Sequence, residues 1–178
     1  SQSYRAGRRD ESVRWLHHGV AIAIAGGPLV MAATWLVYGT LDRWGLHPEI
    51  ETLVRPYLTV IAAGAWPLLL YAAFRRYLQG MHIVRPIMFA LLSANAVNAL
   101  GNWLLIYGNL GFPALGVEGS AWATTAARAY MALFLLAAIV REHRRHGDRN
   151  PPFHFDLARV RRLAALGLPA AAQITVEV

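Results

Sequence analysis

Long apolar stretches that are nearly free of charged residues alternate with polar segments along the chain. Residues 15–41, 56–74 and 86–117 contain no Asp, Glu, Lys or Arg, and in residues 119–140 only Arg128 is charged. About 20 apolar residues are enough to cross the hydrocarbon core of a bilayer as a helix. The pattern therefore predicts four transmembrane helices, at approximately 15–40, 54–74, 86–107 and 119–140. In the second, Pro56 is expected in the first turn and Pro67 at a kink.

The polar segments complete the predicted organisation. Residues 1–14 are interpreted as a cytoplasmic loop, and residues 142–162, which contain Pro151–Pro152, as a cytoplasmic linker after the four helices of 15–141. Residues 163–178 are again apolar and end without a cap, so they are expected to be the start of a fifth helix. The predicted fold is all-α, a polytopic transmembrane bundle, and the sequence is expected to be part of a longer polypeptide.

Composition and charge placement support the membrane interpretation. Hydrophobic residues make up 56% of the chain and charged residues 15%, which is far from the balance of soluble domains. All 17 basic residues are arginines: 14 lie in segments 1–14, 75–85 and 141–162, and only two in the intervening loops. Because cytoplasmic loops are enriched in basic residues, this alternation places the first residues in the cytoplasm and indicates the bilayer, not nucleic acid, as partner.

Several kinds of chemistry are excluded or unsupported. The chain has no cysteine, which rules out a disulfide framework and thiolate ligands to a metal. It also lacks the phosphate-binding, dinucleotide-binding, zinc-protease and serine-hydrolase signatures. No catalytic residue and no bound metal are therefore predicted. A membrane-embedded enzyme would need a nucleophile, metal or acid pair at membrane depth, and the sequence shows none. A membrane scaffold that transports nothing is a further alternative.

Three asparagines of the third predicted helix share one face. Asn95, Asn98 and Asn102 are separated by three and four residues, which confines them to about 60° of the helix circumference. Amides that face lipid would leave polar groups unsatisfied, so this face should look into the protein or into a wet cavity. Two interpretations stay open: hydrogen bonding between helices, or the lining of a substrate or ion pathway.

The fourth predicted helix carries a second polar stripe. Ser120, Thr124 and Arg128 are spaced four residues apart, and Thr125 lies beside them. A guanidinium roughly 12–15 Å inside a transmembrane helix needs a carboxylate, helix-end carbonyls or water around it. The stripe is compatible with a structural role and with a role in transport.

Glu177 is the only carboxylate within the five predicted spans. It follows Pro169 by eight residues, or roughly 12 Å along a helix, where a free charge is costly unless it is paired, hydrated or protonated. Burial should raise the pKa of such a carboxyl toward neutrality, as suits a group that binds and releases a proton or cation. The alternative is that this span ends near Glu177.

The sequence resembles the multidrug and toxic compound extrusion (MATE) transporters, and in particular their NorM-like bacterial branch. The most specific stretch is NAVNALGNWLLIYGNLGFPALGVEGSAWATTAAR, residues 95–128, which is similar to the fifth helix of the family, its external loop and the start of its sixth helix. FRRYLQG, residues 74–80, resembles the loop between helices four and five, and LGLPAAAQITVEV the start of helix seven. The chain would then cover helices three to six of the N-lobe and part of helix seven, with the remaining half of the same polypeptide as its partner.

The resemblance implies a function and several site residues. The family exports organic cations and amphipathic drugs across the bacterial inner membrane by antiport against Na⁺ or H⁺, so no cofactor besides the coupling ion is expected. Glu177 matches the helix-seven acid implicated in cation coupling. Asn98 and Asn102 match a pair in helix five that in another branch is Asn followed by Asp, so one charge is missing here. A lipid-linked oligosaccharide flippase of the same superfamily is the alternative within transport.

Overall fold

The computed structural model describes residues 2–43, 45 and 47–146, and in this part of the chain all regular structure is helical. The five α-helices are α1 Gln2–Tyr38, α2 Pro48–Ala63, α3 Ala65–Gly80, α4 Arg85–Leu105 and α5 Val117–His146, with single 3-10 turns at Leu41–Arg43 and Asn109–Gly111. Four stretches are long and apolar enough to cross a membrane: Val13–Tyr38, Pro48–Gly80, Arg85–Leu105 and Val117–Arg145. The predicted all-helical fold with several spans is confirmed.

The first and last helices extend beyond the apolar stretches. α1 begins at Gln2, within the segment 1–14 that the sequence suggested to be a loop, and α5 continues to His146, into the expected linker 142–162. Arginine, glutamate and glutamine are good helix formers, so a helix can leave the hydrocarbon without ending. The expected fifth helix, 163–178, lies outside the described residues.

The second span consists of two helices that meet at Gly64. It begins at Pro48 and not near 54, so Pro56 lies inside α2 and not in its first turn. The interruption falls three residues before Pro67, which has no N–H to donate to the carbonyl four residues earlier. Gly64 itself keeps right-handed angles, with φ −66° and ψ −10°. Since it is sixteen residues from either end of the span Pro48–Gly80, the break lies at mid-depth.

α5 is the central helix of the bundle. It packs against α2, α3 and α4, whereas α1 packs against α3 and α2. Small residues allow these helices to come close, as is common in membranes. A Cβ atom on Gly101 of α4 would lie 2.9 Å from the Cβ of Ala123 in α5, and one on Gly27 of α1 would overlap the indole ring of Trp66 in α3.

The large buried side chains gather at the arginine-rich end of the bundle. This group, here called the aromatic core, comprises Val13, Tyr71, Phe74, Tyr77, Leu78, Ile87, Ala90, Ala132, Leu135 and Ile139. Leu78 and Leu135 have no exposed surface. At its edge the hydroxyl of Tyr77 is 3.0 Å from Nε2 of His143, which joins α3 to α5.

The outer surface of the bundle is apolar. Leu29, Leu36 and Leu133 are 72%, 74% and 65% exposed, and they lie on the helices that are long enough to span a membrane. Many large side chains exposed together mark a surface that is covered by something other than water. Acyl chains solvate such a surface, as expected for helices of this length.

Candidate functional site

Two of the three asparagines of α4 form a polar cluster with α5. The amide nitrogen of Asn102 donates to the Oδ1 of Asn98 at 3.0 Å, and the amide nitrogen of Asn98 lies 3.4 Å from the hydroxyl of Thr124. All three side chains are half-buried. The close approach of Gly101 to Ala123 lets α4 and α5 meet at this level, so that the amides reach across the helix interface.

The cluster leaves one strong acceptor unused. The Oδ1 of Asn102 is buried and accepts no hydrogen bond within the described part of the chain. Buried polar atoms without a partner are rare in native proteins because each costs free energy. An amide oxygen in this state can accept from a proton donor or coordinate a cation that prefers oxygen ligands.

Asn95 does not join this cluster. Its side chain is exposed, although it lies on the same side of the helix as Asn98 and Asn102. The structure thus brings together Asn98, Asn102 and Thr124, and leaves Asn95 apart.

Thr125 of α5 binds the chain at the break between α2 and α3. Its hydroxyl donates to the carbonyl oxygen of Val60 at 3.1 Å, and the same oxygen accepts the N–H of Gly64 at 3.0 Å. A Cβ atom on Gly64 would lie 2.5 Å from the Thr125 hydroxyl oxygen, so the contact requires glycine at this position. Thr125 therefore makes a hydrogen bond between helices and not within its own helix.

Arg128 lies one turn further along α5, against the same break. Its Nη1 would be 3.2 Å from a Cβ atom on Gly64, and the side chain is half-buried. Arg128 is eleven residues from Val117, roughly 16 Å along the helix, and therefore near the middle of a span. Within residues 47–145, no carboxylate forms an ion pair with it. The guanidinium is thus available to a group from elsewhere or to water.

Glu177, the predicted cation-coupling residue, lies outside the described residues. Its place relative to Asn102 and Arg128 therefore stays a prediction.

The contact between Thr125 and the Gly64 break was missed by reasoning from the sequence. Pro67 suggested a kink, but the neighbouring helix that uses it could not be identified from a single chain. The available signal was Gly64 itself, a glycine three residues before a proline inside an apolar stretch. No pattern in the sequence indicated the hydrogen bond between Tyr77 and His143, which are 66 residues apart.

Apolar helices of spanning length around an intramembrane cluster of amides and hydroxyls define a polytopic α-helical membrane protein. Comparison with known proteins then identifies its family. The MatE family model matches residues 1–104, more than half of the chain, and the chain therefore belongs to the MatE family. The predicted resemblance is confirmed.

Curated relatives extend the match beyond these residues. A probable multidrug resistance protein NorM of Mesorhizobium japonicum is 30% identical over 97% of this chain and 38% of its own length. A protein of the same name from Geobacillus kaustophilus is 34% identical over 73% of the chain and 29% of its own length. The multidrug resistance protein PmpM of Pseudomonas aeruginosa is 31% identical over 90% of the chain and 37% of its own length.

The chain thus spans less than two fifths of the length of these relatives. No solved structure matches it.

Proposed function

We propose that this chain is part of a cation-coupled multidrug antiporter that exports cationic or amphipathic compounds by alternating access, with Na⁺ or H⁺ as the coupling ion. Membership of the MatE family and relatives named as multidrug resistance proteins support this proposal. The protein would act in the bacterial inner membrane, with its arginine-rich segments in the cytoplasm.

One observation carries the coupling part of the proposal, namely the unpartnered Oδ1 of Asn102. Coupling requires a group whose free energy changes when an ion or proton arrives. This oxygen gains an interaction when a cation or a protonated group reaches it. The Oδ1 of Asn98 accepts from the amide nitrogen of Asn102 and holds that side chain in place, and Asn98 in turn donates to the hydroxyl of Thr124. Neither asparagine carries a charge, so the carboxylate that exchanges the proton or neutralises the cation must come from another residue.

The break at Gly64 supplies the element that can change shape. Two shorter helices joined at mid-depth can bend where one continuous helix would resist, and irregular points of this kind are found at the binding sites of transporters. Thr125 and Arg128 of α5 lie against that point, directly next to the polar cluster in the sequence. An ion bound at Asn102 would therefore affect the same helix that contacts the break.

The test is dye efflux from cells that express the full-length protein under an imposed Na⁺ or H⁺ gradient. Asn102→Leu should lose gradient-dependent efflux, because it removes the free oxygen, while Asn95→Leu should retain it, because Asn95 is exposed. Surface expression of both variants, measured by labelling, separates a transport defect from a folding defect.

Glu177→Gln, which removes the expected coupling carboxylate, is the second arm of the same assay. Loss of gradient dependence is the expected result. If Asn102→Leu and Glu177→Gln both export dye as the wild type does under either gradient, neither residue couples transport to an ion, and the proposal fails.

A further inference from the structure

The outer face of α5 carries a groove that is apolar along its length and basic at one end. Leu133, Leu136 and Val140 line the apolar part and are 65%, 41% and 40% exposed. Arg141, Arg144 and Arg145 line the other end, and the groove, which is open to the outside, has a volume of about 530 Å³. This face is separate from the polar cluster at Asn102 and from the aromatic core.

The spacing along α5 places these residues on one stripe. Leu133, Leu136, Val140 and Arg144 follow one another at intervals of three or four residues, as neighbours on one helix face do. From Leu133 to Arg144 the stripe is roughly 16 Å long. The residues of α5 that enter the aromatic core, Ala132, Leu135 and Ile139, alternate with this stripe and point toward the bundle.

The positive charge of the stripe is not balanced by the helix that carries it. Between Glu118 and Arg145 the only acidic residue is Glu142. It follows Val140 and precedes Arg144 by two residues each, so its side chain projects roughly 160° away from both. Glu142 is also half-buried, whereas Arg141, Arg144 and Arg145 are exposed. Glu142 also precedes Arg145 by three residues and can offset at most one of the three charges, so the face keeps a net positive charge.

We propose that this groove is a binding site for one anionic phospholipid of the cytoplasmic leaflet, with the headgroup phosphate on Arg141 and Arg144 and an acyl chain along Leu133, Leu136 and Val140. Guanidinium groups bind phosphate in planar, paired hydrogen bonds, and basic side chains at the cytoplasmic end of a span attract anionic lipid. A free phosphate would leave the apolar part uncovered, and a neutral lipid would leave the arginines unbalanced. Only an amphipathic anion matches both ends of the stripe.

A single-cysteine label permits a site-specific test: this chain contains no cysteine, and any cysteine elsewhere in the full-length protein is first replaced by serine. Leu136→Cys in the full-length protein is labelled with bimane and reconstituted into vesicles that contain brominated phosphatidylglycerol or brominated phosphatidylcholine. Quenching reports the lipid next to the label. Leu91→Cys, an exposed apolar position on α4 six residues from Arg85, is the matched control label, because Arg85 is the only arginine within ten residues of it in the sequence.

At Leu136 we expect brominated phosphatidylglycerol to quench at a several-fold lower mole fraction than brominated phosphatidylcholine. Arg141→Gln with Arg144→Gln should abolish this several-fold preference. Arg75→Gln with Arg76→Gln, which removes two exposed arginines from α3, should leave it unchanged. The label at Leu91 should show little preference between the two lipids.

Two results would overturn the proposal. Equal quenching by the two lipids at Leu136 would mean that the arginines do not select the lipid. Protection of the Leu136 label from both lipids, with normal quenching at Leu91, would mean that another segment of the protein covers the groove.

Discussion

The two ends of the helix bundle are packed in different ways. At the arginine-rich end the aromatic core fills the space between α1, α3, α4 and α5 with large side chains, and Leu78 and Leu135 have no exposed surface. Toward the N-terminal half of α5 the helices meet through glycine, alanine and threonine. There the buried Oδ1 of Asn102 has no partner within the described residues. The aromatic core is thus held together by the packing of large side chains, and the other region by a few hydrogen bonds.

The difference indicates which part of the bundle can move. A core that is filled with interlocking side chains cannot shift without opening cavities, which costs free energy. The arginine-rich end should therefore behave as one rigid body. Contacts made by single hydrogen bonds at a helix break can be exchanged for others at a small cost. We therefore expect the aromatic core to stay fixed and the region of Gly64, Asn102 and Thr125 to change shape.

The largest effect on stability is expected in the aromatic core. Leu78→Ala should lower the free energy of unfolding by about 2–5 kcal/mol, because the side chain is completely buried and leaves a cavity. Thermal unfolding of the purified protein in detergent measures it. The matched control is Leu133→Ala, at a position that is 65% exposed, which should change the midpoint little. Equal losses for the two variants would contradict the view of a filled core with a lipid-facing exterior.

A smaller effect is expected where the helices meet closely. Gly101→Val should cost about 1–3 kcal/mol, because even the first carbon of the side chain would lie 2.9 Å from Ala123 and would push α4 from α5. Gly80→Val is the control, since nothing lies within 4 Å of a Cβ atom there. Comparable unfolding midpoints for the two variants would show that α4 and α5 are not closely packed at Gly101.

Thr125→Val tests the bond at the break between α2 and α3. It keeps the shape of the side chain and removes the hydroxyl that donates to Val60, so a loss of about 1 kcal/mol is expected. Thr59→Val is the comparison, because the exposed Thr59 hydroxyl donates to Arg55 within its own helix. If Thr59→Val lowers the free energy of unfolding as much as Thr125→Val does, the hydrogen bond between helices does not stabilise the fold more than a bond within one helix.

The smallest effect is expected at the edge of the aromatic core. Tyr77→Phe removes the hydroxyl that is 3.0 Å from His143, and about 0.5–1 kcal/mol should be lost. A double-mutant cycle with His143→Ala isolates this bond from the other contacts of the two residues. A coupling energy of zero would show that side-chain packing, and not this hydrogen bond, stabilises this end of the bundle.

The sequence predicts the class of fold well because lipid imposes a simple rule. Every span needs an uninterrupted apolar stretch, and four such stretches can be counted from the order of the amino acids alone. The ends of the helices follow a weaker rule, since charged residues such as Arg141 continue a helix into water. For this reason α1, α5 and the second span are all longer than their apolar parts.

The candidate site was predicted only in part, and the limit is again physical. The spacing of Asn98 and Asn102 is sufficient to make them neighbours, because residues four apart meet on any helix. The contact of Asn98 with Thr124 depends on how α5 is rotated and shifted against α4, and small residues such as Gly101 and Ala123 together decide this. Asn95 shows the same limit, since only packing decides which edge of a polar face remains outside.

The turn that joins α4 to α5 has a consequence for how the protein enters the membrane. It is short and uncharged, glycines with positive φ at Gly108 and Gly111 shape it, and a backbone bond from Leu115 to Leu105 closes it. Between Pro86 and Ala127, Glu118 is the only charged residue, and acidic residues oppose translocation little. Arg128 stays at mid-depth and does not have to cross to the far side. During synthesis these two helices can therefore insert together as a preformed hairpin, and the arginines after Val140 remain behind on the ribosome's side.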